Sequence, residues 1–119
     1  AEYFFVTDLE SAIRSEDLAA RAEALEKMVN NLDSFDGMYD KNDYIVQVVR
    51  YLSFDRAFRA RFVARCLKKL VIKHQRRKRI DSGALLLLLA QTVAPGNRVE
   101  QANFLNDVSL MMARIESEN

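Results

Sequence analysis

The residues best suited to chemistry in this sequence are the cations between Arg56 and Arg79. This stretch contains eleven Lys and Arg residues and no Asp or Glu, out of 18 Lys and Arg in the whole chain. Guanidinium and ammonium groups bind carboxylates and phosphates, and the planar fork of arginine, which outnumbers lysine here, suits both anions. The stretch therefore indicates a site that binds an anionic partner.

Covalent chemistry has few candidate residues. The single histidine, His74, lies among cations that disfavour its protonation, and no carboxylate partner is evident. The single cysteine, Cys66, falls on the apolar side of its helix, where burial keeps a thiol unreactive. No glycine-rich phosphate loop, zinc-protease motif or paired-carboxylate motif is present. We therefore predict a non-enzymatic protein with no catalytic residue, cofactor or metal ion.

The acidic segment 30–43 raises the question of a calcium site. If Gly37 takes the place of the glycine in an EF-hand loop, the first ligand falls on Leu32 and the last on Asp43. Because leucine has no side-chain oxygen, the pattern fails at its first ligand. We interpret the segment as an acidic connector between two helices.

Charge is divided unevenly along a chain whose net charge is only +1. Residues 1–43 carry eleven acids and four bases, residues 44–79 twelve bases and one acid, and residues 80–119 five acids and two bases. Two explanations follow from this layout. Either the acidic parts fold against the basic helix and neutralise it, or its basic face is left for an anionic partner.

The composition is that of a helical globular protein. Of the 119 residues, half are apolar and 29% are charged, with three Gly and one Pro and no alternating β-type pattern. We predict an all-α fold, a five- or six-helix orthogonal or HEAT-like bundle. It forms one domain over residues 1–119, or is an excised piece of a longer chain.

A secretory signal is not evident in the sequence, whereas the run Arg76–Arg79 resembles a nuclear-import patch. The apolar opening Tyr3–Val6 is too short for a secretory leader, and the run Ala84–Ala90 is far shorter than a membrane span. We therefore expect an intracellular location, cytoplasmic or nuclear.

Three helices are predicted before the basic stretch. Thr7 and Glu10 form a capping box that opens a short helix to about Ser15. The spacing of apolar residues predicts the next two helices, the second of which has a strand as its alternative over 44–49 because of its β-branched residues. The first of the two is expected to span Glu16–Asn30, with Ser15 as its N-cap. The second is expected to span Asp43–Leu52, with Asn42 or Asp43 as its N-cap.

The basic helix is expected to begin near Phe54 and to have three parts. Phe54, Phe58 and Phe62 step by four and anchor its first half in the core. A second apolar stripe comprises Val63, Cys66, Leu67, Leu70 and Val71. Opposite this stripe lies a cationic strip that we expect to be available to a partner: Arg61, Arg65, Lys68 and Lys69. The end of the stretch, Lys73–Arg79, is too charged to bury.

Two further helices follow. Asp81 and Ser82 cap a helix over 82–93, whose leucines Leu85–Leu89 cover every direction and place it at the centre of the bundle, or in contact with a partner on one side. The turn Ala94–Asn97 ends it. Asn97 then caps a last helix, Arg98–Glu116, with one broad apolar stripe.

The function predicted from these features is a helical protein–protein interaction module, adaptor or regulatory, that docks an acidic partner through the basic helix. The alternative is sequence-independent RNA or DNA binding by the same helix, with Arg56 and Arg59 included; binding to anionic membrane is a third reading. The acidic remainder of the chain would repel phosphate, which favours a protein partner. The predicted binding residues are Arg61, Arg65, Lys68, Lys69, Lys73, Arg76, Arg77, Lys78 and Arg79.

Overall fold

The computed structural model describes residues 9–74 and 82–118, without the side chains of residues 72–74. Within these ranges, the regular structure consists of six α-helices and two short 3-10 helices. The prediction of an all-α chain with five or six helices is therefore confirmed. Residues 44–49, for which a strand was the alternative, are helical. The orthogonal or HEAT-like arrangement stays a prediction.

Backbone contacts group the chain into two units, Ala1–Tyr44 and Ile45–Asn119. The boundary falls inside a helix, and each unit is described by itself below. The single domain over residues 1–119 stays a prediction.

The first unit begins with two helices, α1 (Glu10–Ile13) and α2 (Leu18–Asn30). The carboxylate of Asp17 caps α2, because its Oδ1 accepts hydrogen bonds from the amides of Ala19 at 3.0 Å and Ala20 at 3.3 Å. The prediction that Ser15 caps this helix is therefore wrong. Thr7, the other half of the predicted capping box, lies outside the described residues.

The acidic segment is more ordered than the sequence suggested. A 3-10 helix covers Asn31–Ser34, and α3 (Met38–Tyr51) begins five residues before the predicted start. The amide of Lys41 donates to the carbonyl of Gly37 at 3.1 Å, which opens the helix there. The predicted caps Asn42 and Asp43 lie inside α3, so that prediction is wrong.

Two polar side chains of α3 are buried in the first unit and donate to backbone carbonyls. Lys41 is only 1% exposed, and its Nζ donates to the carbonyl oxygens of Leu32, at 3.1 Å, and of Phe35. The Tyr44 hydroxyl donates to the carbonyl of Met28 at 2.8 Å. The carbonyl of Leu32 also accepts from the amide of Phe35 at 3.2 Å, so Lys41 adds a second donor to that group. Buried polar side chains are generally hydrogen-bonded in this way.

The second unit contains the basic helix. A 3-10 turn, Leu52–Phe54, precedes α4 (Arg56–His74), and the carboxylate of Asp55 accepts from the amide of Phe58 at 3.0 Å. A helix α5 (Ser82–Val93) and a helix α6 (Arg98–Ser117) follow, within a residue of their predicted bounds. Gly96 has a φ of 70°, which glycine adopts without a Cβ clash and which reverses the chain between these two helices.

Packing in the second unit centres on α4 and α6. Arg56 pairs with Asp107 and Arg61 pairs with Glu118, so the two helices run in the same direction. Helix α6 buries Phe104, Val108 and Ile115. A contact of this kind between helices gains its stability mainly from apolar area removed from water.

Helix α5 is buried on one face only. Its buried residues are Leu85, Leu89 and Ala90, whereas Leu87 is 55% exposed and Leu88 is 46% exposed. The expectation that Leu85–Leu89 all reach the centre of a bundle is therefore wrong for the outer leucines. The other reading of this helix, a partner on one side, stays a prediction.

Candidate functional site

The apolar faces of α4 bury most of the residues predicted to lie in the core. Phe58, Phe62 and Cys66 are buried. Phe54, which precedes the helix, is 40% exposed, and its ring lies edge-on to that of Tyr51 with the centroids 6.0 Å apart. Val71 is 50% exposed, so the predicted second stripe ends at Leu70.

Cys66 is a core residue, as predicted. The thiol is fully buried, and this burial raises its pKa far above the ordinary range, against the opposing influence of Arg65 and Lys69. A thiol that stays protonated is a poor nucleophile.

Arg59 differs from the other cations of α4 because it is buried. It is 7% exposed, and its guanidinium carbon lies 5.5 Å from the centroid of the Phe104 ring. Burial lowers its pKa, and the positive charge of Arg56 adds to this effect. Arg59 therefore belongs to the packing of α4 against α6, and its inclusion in a phosphate-binding face is wrong.

Two cations on α4 form ion pairs with acids of α6. The Nη2 of Arg56 lies 3.0 Å from Oδ2 of Asp107, and the Nη2 of Arg61 lies 2.8 Å from Oε1 of Glu118. In this structure Arg61 is therefore paired within the chain, and its contact with a partner stays a prediction. The pair also shows a carboxylate bound to the predicted cationic strip.

The ion pair between Arg61 and Glu118 has a pH signature. The hydrogen bond from Arg61, then its charge, lower the pKa of the Glu118 carboxyl. Because the folded-state pKa is the lower one, the pair favours folding above the ordinary glutamate pKa, and the contribution is lost as the pH falls through the lowered value. Both side chains are partly solvated, so the effect on stability is small.

Replacing Arg61 with alanine is expected to return the pKa of Glu118 towards its ordinary range, because the main cause of the shift is removed. A carboxyl ¹³C NMR titration of Glu118 measures this change. Arg98→Ala, an exposed cation at the other end of α6, is the control and leaves the pKa of Glu118 unchanged. An unchanged Glu118 pKa in Arg61→Ala would show that the pair does not persist in solution.

The other cations of the predicted strip lie close to this pair. Arg65, Lys68 and Lys69 are partly exposed, and the charge of Arg65 contributes to the lowered pKa of Glu118. Arg65 and Lys69 also influence the thiol of Cys66 on the same helix. The structure thus places the four strip residues along neighbouring turns of α4, as helical spacing predicts.

The remaining predicted binding residues are beyond what the structure describes. Arg76, Arg77, Lys78 and Arg79 lie outside the described residues, and so does the side chain of Lys73. In the ranges 9–74 and 82–118, no helix combines the length and apolar character needed to cross a bilayer. No group of His, Cys, Asp and Glu in the same ranges is arranged to hold a metal ion.

Sequence reasoning did not find two surface grooves beside α6. The first, called the α4–α6 groove, has a volume of about 180 Å³. The second, called the α5–α6 groove, has a volume of about 560 Å³. The α4–α6 groove is lined by Ala64, Lys68, Val71, Met112, Ile115 and Glu116, and the α5–α6 groove by Gly83, Leu86, Leu87, Leu105, Val108, Ser109 and Met112. The continuous leucine run of α5 was the one sequence signal that pointed towards this surface.

Comparison with known proteins gives no relative for this chain. Neither a family model nor a curated protein matches the sequence, and no solved structure matches the fold. The function must therefore be inferred from the chain's own residues.

Proposed function

We propose that this chain is a non-enzymatic helical interaction module, of an adaptor or regulatory kind, that binds an acidic protein segment through α4. The observation that carries the proposal is the position of Lys68 in the α4–α6 groove, beside Val71, Met112 and Ile115 and with Glu116 as the one acid of the lining. The basic helix thereby presents a cation next to apolar surface, half of Val71 being exposed. A protein segment with carboxylates and apolar side chains can satisfy both at once.

A carboxylate bound to the same helix supports this choice of partner. Glu118 accepts a hydrogen bond from Arg61 at 2.8 Å. Arg61 lies two helical turns before Lys68 on α4. Charge-assisted hydrogen bonds of this kind are stronger than neutral ones. The acidic end of α6 shows that the surface near Arg61 accommodates a protein carboxylate.

Binding of RNA or DNA is the alternative proposal. A phosphate backbone binds cations through charge and counterion release, and needs no apolar groove. Arg59 is buried, and Arg56 and Arg61 are paired with acids, which shortens the row of cations that a backbone would follow. These features favour the protein partner over the nucleic acid.

Titrations with three fluorescent probes test the proposal: an acidic 20-residue peptide with leucines at helical spacing, a single-stranded RNA and a duplex DNA. At about 150 mM salt we expect the peptide to bind with a Kd on the order of 10 µM, and both nucleic acids at least about tenfold more weakly. Nucleic-acid binding that is tighter than peptide binding, with a steep salt dependence, would instead support the alternative. Absence of binding by all three probes would reject both proposals.

A further inference from the structure

The α5–α6 groove is the more open of the two grooves that share Met112, and its walls are apolar. Leu87 on one wall is 55% exposed, and Leu105 on the other is 37% exposed. No charged residue occurs between Ser82 and Asn97, a stretch that includes the whole of α5. Exposed apolar surface of this kind, concave and without charge, is typical of a site where another chain docks.

The two grooves adjoin at Met112, which lines both of them. We call the pair the trough: it leads from Leu87 on α5, past Met112 on α6, to Val71 and Lys68 on α4. The trough is thus apolar along most of its course, and at its α4 end Lys68 of α4 lies opposite Glu116 of α6.

We propose that this trough binds an amphipathic helix of an acidic partner. The apolar residues of that helix, spaced three and four apart, enter the α5–α6 groove, and its carboxylates reach Lys68 at the α4 end. The proposal rests on the proposed function and specifies the partner: a helix with an apolar face, and not an acidic tail that binds through charge alone. A groove between two helices accepts such a helix through a row of apolar anchors.

Charge decides between this partner and a second copy of the chain. The trough is bordered by α4, which contains no acid and on which Arg65, Lys68 and Lys69 are partly exposed. A symmetric contact through the trough would bring two copies of this cationic face close together, and like charges repel. An acidic helix meets complementary charge at the same place.

Two peptides of identical composition test the inference. In one, leucines occupy one helical face and glutamates the other, and in the second the order is scrambled so that no apolar face forms. We expect the amphipathic peptide to bind at least about tenfold more tightly than the scrambled one. Isothermal titration calorimetry measures affinity, and methyl NMR shows whether the signals of Leu87, Leu105 and Met112 shift.

A pair of matched variants locates the contact. Leu87→Gln is expected to weaken binding of the amphipathic peptide by about tenfold, because a half-exposed anchor side chain is lost from the groove. Leu88→Gln is the control, since Leu88 is 46% exposed on the same helix but does not line the trough. It is expected to bind like the unmodified chain.

The outcomes separate this inference from the proposed function. Equal affinity for both peptides would reject binding of an amphipathic helix in the trough and would leave an acidic partner that binds through charge alone. No affinity for either peptide would reject the proposed function itself. Equal losses of affinity in the two leucine variants would also reject the trough as the binding site. Self-association that only Leu87→Gln abolishes would identify a second copy of the chain as the occupant and overturn the inference. Stronger Leu87-dependent binding to phosphatidylserine vesicles than to the peptide would overturn it in favour of a lipid surface.

Discussion

Changing Arg65, Lys68 and Lys69 together to glutamate is expected to weaken binding of the acidic amphipathic peptide by at least about a hundredfold. The three changes turn the attractive end of the trough into a repulsive one, in a region where Lys68 lies against apolar side chains and is partly shielded from water. Charges in such a place are screened less by salt than fully exposed ones. Calorimetry at about 150 mM salt measures the loss, and circular dichroism confirms that the helices remain.

A control with the same net charge separates local contact from long-range attraction. Arg14, Lys27 and Arg98 are exposed and do not line either groove, so their change to glutamate gives an equally acidic protein. We expect this control to lose only a few-fold in affinity, through slower electrostatic steering. Equal losses in the two triple variants would contradict a binding site on α4, and unchanged affinity in the first would reject the proposed function.

The helices that the sequence predicted best are those with strong local signals. Helix α6 begins after Asn97, whose side chain accepts from the amide of Glu100 at 3.1 Å, as the cap prediction required. Helix α5 begins at Ser82 and ends before Pro95, also as predicted. These signals act within a few residues of the chain, so they can be interpreted without knowledge of the tertiary structure.

The start of α3 was missed because the composition before it is not that of a helix. Three acids and Gly37 between residues 33 and 40 are typical of a connector. The structure instead buries Lys41, which donates to carbonyls six and nine residues earlier in the chain. Lysine is rarely buried, and the sequence pattern contains nothing that identifies these carbonyls as its partners.

The candidate site was predictable in its placement but not in its pairing. Helical periodicity correctly put Arg61 and Lys68 two turns apart on one side of α4, away from Leu70 and Cys66. It could not show that Arg61 donates a hydrogen bond to Glu118, which lies 57 residues further along the chain. The exposure of Leu87 follows from which face of α5 is buried. The sequence of a helix that is apolar in every direction gives no indication of that face.

Lys41→Ala is expected to lower the free energy of unfolding of the first unit by about 3 kcal/mol, the largest stability effect predicted for this chain. Lys41 is 1% exposed, and its Nζ donates to the carbonyls of Leu32 and Phe35. The substitution removes the ammonium donor from both carbonyls, although that of Leu32 keeps the amide of Phe35, and it opens a cavity where the side chain lay. Burying an ammonium group costs free energy, and the variant no longer has that cost. This offsets part of the loss, so a larger value is not expected.

Chemical denaturation followed by circular dichroism measures this change, with Lys27→Ala as the matched control. Lys27 is also a helical lysine, but it is largely exposed and pairs with Glu23 at 3.3 Å on the surface. Its loss is expected to cost less than about 0.5 kcal/mol. If Lys41→Ala costs no more than Lys27→Ala, the buried hydrogen bonds of the Lys41 ammonium group contribute no net stability to the first unit. The cost of burying that group would then cancel the gain from its two carbonyl partners.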